Sequence, residues 1–142
     1  MKNSQDILSS ILKSTQMGQV GIRCVLDHTM YPGLRKALES QLREYDSIET
    51  EAHMLASQRG WSLKELDPTV RRMANMMTRM KLIGGNTDSK IAGMMIQGNT
   101  RGMITEMKNI HQFHSADLQV RTLSQKLIDC ENANIRQMQS FL

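Results

Sequence analysis

Several groups of residues in this 142-residue chain carry side chains whose types and spacing could do chemistry. In RRMANMMTRMK, the residues Met73, Met76, Met77 and Met80 repeat a Met-x-x-Met spacing that would present soft thioethers together to Cu(I). His111 and His114 stand three apart, so two imidazoles on one helix face could share a metal. Near a helix C-terminus the same residues also suit the negative end of the helix dipole, as His28 does near the end of the first helix. GNTRG has the outline of a phosphate loop, but no strand precedes it and no Lys-Ser/Thr pair follows. Cys24 and Cys130 lie far apart among apolar neighbours, and only Cys24 has an adjacent base, Arg23. Free, buried, unactivated thiols are expected.

Composition limits what can position these groups. Thirteen methionines against two Phe, one Trp, two Tyr and two Pro make the apolar set unbranched and helix-compatible, which points to an all-α protein. The net charge of +4 is interleaved with acids and gives no dedicated nucleic-acid surface. The N-terminus, MKNSQDILSS, lacks the continuous apolar core of a signal peptide, so a cytoplasmic location is expected. KIAGMMIQGNTRGMITEMKNIHQFH is interrupted by Lys90, Gln97, Asn99, Arg101, Glu106 and Lys108, which excludes a transmembrane span.

Pro and Gly divide the chain into helical segments. Leu8, Ile11, Leu12, Ile22, Val25 and Leu26 recur at helix spacing between Asp6 and Thr29, and Tyr31-Pro32-Gly33 breaks the pattern. Leu34, Leu38, Leu42, Tyr45, Ile48, Ala52 and Leu55 form the seam of a second helix that stops at Gly60. A short helix runs from about Pro68 to Leu82, capped by Asp67, with Val70, Met73, Met77, Met80 and Ile83 as a stripe for the core or for a partner. Thr87 or Asp88 caps the next long helix. Ser115 or Asp117 opens the last, whose seam is Val120, Leu123, Leu127, Cys130, Asn134, Met138 and Phe141. Trp61 is expected to pin the connection between the second and third long helices, about residues 61–86, to the helices.

The third long helix is the most informative. Ala92, Ile96, Asn99, Met103, Glu106, Ile110 and Phe113 share one face, with Met95 and Met107 flanking, so Asn99 and Glu106 point at the core. Gly93, Gly98 and Gly102 together cost about 3 kcal/mol relative to Ala in a helix interior. Close approach of a neighbouring helix is the expected compensation.

The helix layout, SKIAGMMIQGNTRGMITE and the closing KLIDCENANIRQMQSFL resemble bacterial ferritin-like bundle proteins of the spore-coat type, over roughly Leu8 to Leu142. The resemblance implies a single domain over 1–142, an up-down-down-up four-helix bundle with a long crossover carrying a short extra helix. Ferritin-like di-iron proteins use one Glu from each of two helices and a Glu-x-x-His from each of the other two, a set suited to iron or manganese. Carried onto this chain, that set gives Glu49 with Ala52 at the His position, Glu106, and Glu131 with Asn134 at the His position. The first helix has Gly18, Gln19 and Ile22 where an acid should stand, and His53 could serve only by a different geometry. The implied metal set, Glu49, His53, Glu106 and Glu131, is incomplete. A non-enzymatic structural or interaction protein is therefore expected, spore-associated, without a cofactor, as a homo-oligomer or with a protein partner. The alternative is a divergent di-iron or manganese carboxylate protein for storage or oxidation. A third expectation is that the basic, Met-rich linker helix contacts a partner or an anionic membrane surface.

Overall fold

The computed structural model describes residues 3–112 and 117–142, and its regular structure is α-helical, with no strand among those residues. Helix α1, Ser4–Leu26, begins at a capping box. Asn3 Oδ1 accepts from the Asp6 N–H at 3.0 Å, and the Asp6 carboxylate accepts from the Asn3 N–H at 3.2 Å. The helix stops at Leu26, short of the expected Thr29. Helix α2, Pro32–Arg59, has proline in its first turn, where a missing N–H costs nothing, and ends at Gly60 in the left-handed conformation, φ 67°. Asp67 caps α3, Pro68–Lys81, by accepting from the Thr69 N–H at 2.9 Å, and the two Thr69 hydrogen bonds hold its carboxyl below the usual range.

Helix α4, Thr87–Gln112, follows Gly84, Gly85 and Asn86, all at positive φ. Asp88 was a cap candidate from the sequence, but its carboxylate reaches across the molecule. It accepts from the backbone N–H groups of Met30 at 2.8 Å and Tyr31 at 2.9 Å, fastening the α1–α2 turn to the start of α4. Asp117 caps α5, Leu118–Gln139, through the Gln119 N–H and also accepts from Arg59 Nε at 2.6 Å. Phe113, His114 and Ser115 lie outside the described residues.

The four long helices share one core. Leu8, Ile11, Ile22 and Val25 of α1 meet Leu34, Leu38 and Ile48 of α2, Ile91, Ala92 and Met95 of α4, and Val120, Leu127 and Met138 of α5. Polar contacts fix the pairings: α1 with α2 through Gln19 and Asp46, α1 with α4 through Ser10 and Asn109, α4 with α5 through Asn99 and Asn134, and α2 with α5 through Gln41 and Gln137. No described helix is long and apolar enough to cross a membrane.

The connection from α2 to α4 is held along α1 by hydrogen bonds that hydrophobic periodicity does not reveal. Gln5 Nε2 donates to the Ser62 carbonyl, Ser9 Oγ accepts from the Lys64 N–H, and Gln16 Oε1 accepts from the Leu66 N–H. Trp61 packs against the core as expected, with the Arg59 guanidinium 5.9 Å from its ring centroid. In α3 and at its C-cap the half-buried and buried positions are Val70, Ala74, Thr78 and Leu82, an i, i+4 row on the side of α1. Met73, Met77, Met80 and Ile83 face away and are exposed, so they are not part of the core stripe.

The glycines of α4 also depart from expectation. A Cβ on Gly93 or Gly98 would meet nothing within 4 Å, so close helix approach explains neither. We expect Gly93→Ala to raise stability by about 0.5–1 kcal/mol, because it removes backbone freedom from the unfolded chain and strains nothing in the folded one. Urea unfolding measures this, and a loss of stability would mean that another group covers Gly93.

Candidate functional site

The polar centre of the molecule is built from four helices. On α4, Asn99, Gly102 and Glu106 fall at i, i+3 and i+7, one inward face; on α5, Glu131 and Asn134 are i, i+3. Tyr45 comes from the seam of α2, and Ser14 and Gly18 from α1. Asn99 Oδ1 accepts from Tyr45 Oη at 2.8 Å and from Asn134 Nδ2 at 3.1 Å, while Asn99 Nδ2 donates to the Met95 carbonyl at 2.7 Å. The three side chains thus satisfy one another in the buried interior.

One turn further along α4, Glu106 is fully buried and accepts from Ser14 Oγ at 2.9 Å. Glu131 is 2% exposed. Burial, reinforced by the neighbouring Glu106, pushes its carboxyl up to about 9, with the Met103 backbone N–H acting in the opposite direction. At neutral pH Glu131 is therefore an uncharged carboxylic acid. Its carboxyl lies where a side chain on residue 102 would be: a Cβ there would overlap Oε2 and come 2.8 Å from Cδ. Gly102 is thus required by a carboxyl, not by a helix backbone. Gly18 makes similar room for Tyr45, whose ring atoms would stand 2.5–2.9 Å from a Cβ at position 18.

Beside this centre, between α1 and α4, lies a cavity of about 270 Å³ bordered by Ser14, Gly18, Tyr45, Gly98, Asn99 and Glu131. Arg101 and Thr105 also line it, so its groups can hold a polar molecule by hydrogen bonds, but none is an activated nucleophile. Burial, then Glu44 and Glu131, push the Cys130 thiol up to about 11, and burial also raises Cys24, so neither is a ready thiolate. Burial and Glu131 raise the Tyr45 phenol as well.

The residues that the resemblance assigns to a metal have different partners. Glu49 accepts from Gln16 Nε2 and Gln19 Nε2, each at 3.2 Å, on the side of α1 and α2 that faces the connection. His53 is exposed, and its Nε2 lies 3.6 Å from Glu65. Only Glu106 and Glu131 are brought together. Among the described residues no group of three or more His, Cys, Asp or Glu side chains could hold a metal ion. Ala52 and Asn134 occupy the histidine positions, and Asn134 is committed to Asn99. Two carboxyls with two carboxamides and a phenol, and no imidazole, do not fit a di-iron or dimanganese centre.

Asn99, Glu106 and Asn134 follow from their inward phase and Glu131 only from the ligand set that the resemblance implies, whereas Tyr45, Ser14 and Gly18 were not expected as members of the site. Gly18 was visible as a small residue at the centre of an otherwise apolar helix. Nothing in one sequence says which ring it accommodates. Comparison with protein-family models, with curated proteins and with solved structures finds no match for this chain.

Proposed function

We propose that this chain is a ferritin-like, up-down-down-up bundle that works without a metal as a structural or interaction protein of the spore-coat type. One observation carries the reading: where a di-iron protein needs a Glu-x-x-His pair, this chain has Glu131 seated on Gly102 and, at the histidine position, an Asn134 spent on Asn99. The topology is supported by polar contacts whose residue numbers run in opposite directions within each adjacent helix pair. Ser10 and Ser14 meet Asn109 and Glu106, Gln19 meets Asp46 while Gln16 meets Glu49, and Gln41 meets Gln137 while Glu51 meets Lys126. This makes α2 parallel to α4, and the connection of residues 60–86 then returns along the bundle.

Metal analysis of protein produced in medium supplemented with iron and manganese tests the reading. No stoichiometric metal is expected, and Glu106→Gln should leave the melting temperature unchanged or raise it. Stoichiometric iron together with Fe(II) oxidation would establish the carboxylate-metal alternative instead. Self-association belongs to the same proposal, and light scattering that gives a monomer at high concentration would remove it.

A further inference from the structure

The net charge of the whole chain resides on its least packed helix. The chain has eighteen Lys and Arg and fourteen Asp and Glu; four of the bases, Arg71, Arg72, Arg79 and Lys81, fall within residues 68–83, which contain no acid. The remainder carries fourteen of each sign and is neutral. The same helix exposes Met73, Met76, Met77 and Met80 by 52–67% and is followed by Ile83 at 75%.

At 3.6 residues per turn the four methionines cover an arc of about 100°. Lys81 falls about 40° beyond one edge of that arc, and Arg72 and Arg79 about 40–60° beyond the other. Among the described residues none of these three is in an ion pair. Arg71 lies on the inner side, in a cleft it shares with Glu49, Glu65 and Asp67. Helix α3 is therefore amphipathic twice: Val70, Ala74, Thr78 and Leu82 face α1, and an outward apolar ridge is bordered by unpaired cations.

We infer that α3 is a docking helix for an anionic lipid bilayer, lying in the interface with its methionines among the acyl chains and Arg72, Arg79 and Lys81 at the headgroups. Flexible, unbranched thioethers fill the irregular space beneath headgroups, and long cationic side chains bury their stems while keeping the charge at the phosphates. A second copy docked face to face would bring two unpaired cationic borders together. Residues 44–58 hold Glu44, Asp46, Glu49 and Glu51 with no Lys or Arg, but Asp46 is engaged by Gln19 and Arg23, Glu49 by Gln16 and Gln19, and Glu51 by Lys126, so little of that block is left to complement them. A lone convex helix about 21 Å long suits a planar anionic surface. This inference rests on the interaction reading above, names its partner, and is separable from it. Failure to bind vesicles would leave the absence of a metal centre standing, and stoichiometric iron would leave the vesicle result standing.

Sedimentation of the full chain with phosphatidylcholine vesicles, and with equimolar phosphatidylserine and phosphatidylcholine vesicles, tests it. Binding to the anionic vesicles alone is expected, weakening with added salt. Combining Arg72→Gln, Arg79→Gln and Lys81→Gln should weaken it on the order of a hundredfold. Combining Met73→Ser, Met77→Ser and Met80→Ser should weaken it on the order of tenfold or more. Both variants should keep the parent's unfolding temperature, since the altered residues are exposed. Equal binding to neutral vesicles, no binding to either, or an unchanged affinity in the serine variant would each overturn the inference. So would polyglutamate binding as tightly as the anionic vesicles, which would mark a general polyanion surface.

Discussion

Glu131→Gln raises stability at pH 8 by on the order of a few kcal/mol, and the gain disappears towards pH 4. The sign follows from burial of the acid. In the unfolded chain Glu131 titrates near its model value of 4.5, whereas in the fold burial and Glu106 push it up to about 9. Between those values the folded state holds one proton more than the unfolded state. Stability contributed by the neutral carboxyl is complete below about 4.5 and is lost as pH rises towards 9, at up to about 1.4 kcal/mol per pH unit. The amide is a neutral isostere that never has to be protonated. Urea unfolding of both proteins across this range measures the effect. Parallel pH profiles for parent and variant would show that Glu131 is an ordinary solvated carboxylate.

Gly102→Ala is the second large effect. Alanine is the better helix former by about 1 kcal/mol, yet its methyl would occupy the space of the Glu131 carboxyl. Displacing the buried carboxyl, which lies beside the cavity and near Glu106, costs about 1–3 kcal/mol from overpacking, so a net loss is expected. The decisive form is a double-mutant cycle with Glu131→Ala, which vacates that space. In that background Gly102→Ala should become neutral or stabilising, a strongly non-additive result. Additivity would separate the two residues and remove the explanation for the glycine. Gly93→Ala is the control within the same helix, with nothing near its Cβ.

The helices were legible in the sequence because their ends carry local chemistry: Pro32 at a start, Gly60 at a stop, Asp67 and Asp117 as caps. The inward phase of Asn99, Glu106 and Asn134 was legible because seven-residue repetition of apolar neighbours fixes a face, whereas on α5 the expected seam held Cys130, and the buried Glu131 beside it came only from the resemblance. What periodicity does not encode is which helix lies opposite. It could not tell that Gly102 faces a carboxyl, that Gly93 faces nothing, or that Asp88 ties down the turn at Met30 and Tyr31. Whether the α3 stripe faces the core or a partner was open for a related reason. Two apolar rows were available on one short helix, and the less hydrophobic of them, with Ala74 and Thr78, faces α1. Small side chains allow that helix to lie close, and the bulkier methionines are left outside.

Glu49 and His53 illustrate the limit of carrying a ligand set by position. Both stand on α2, yet one is engaged by Gln16 and Gln19 of α1 and the other is near Glu65 of the connection. Their spacing was compatible with a shared site, but glutamines on the facing helix and an acid in the connection give each a different partner. The polar centre that results consists of mutually satisfied carboxamides and a phenol beside a neutral acid. Such a centre specifies how helices align without the desolvation cost of a second buried charge.

The most direct measurement is a pH titration of the Glu131 side-chain carboxyl by carbon-13 NMR, with its resonance assigned by its absence in Glu131→Gln. A midpoint near 9 is predicted, the signature of a carboxyl held neutral at the centre of the fold. A midpoint near the ordinary value of 4.5 would mean that Glu131 is an anion at neutral pH, and would contradict the account of this centre as one that holds Glu131 neutral.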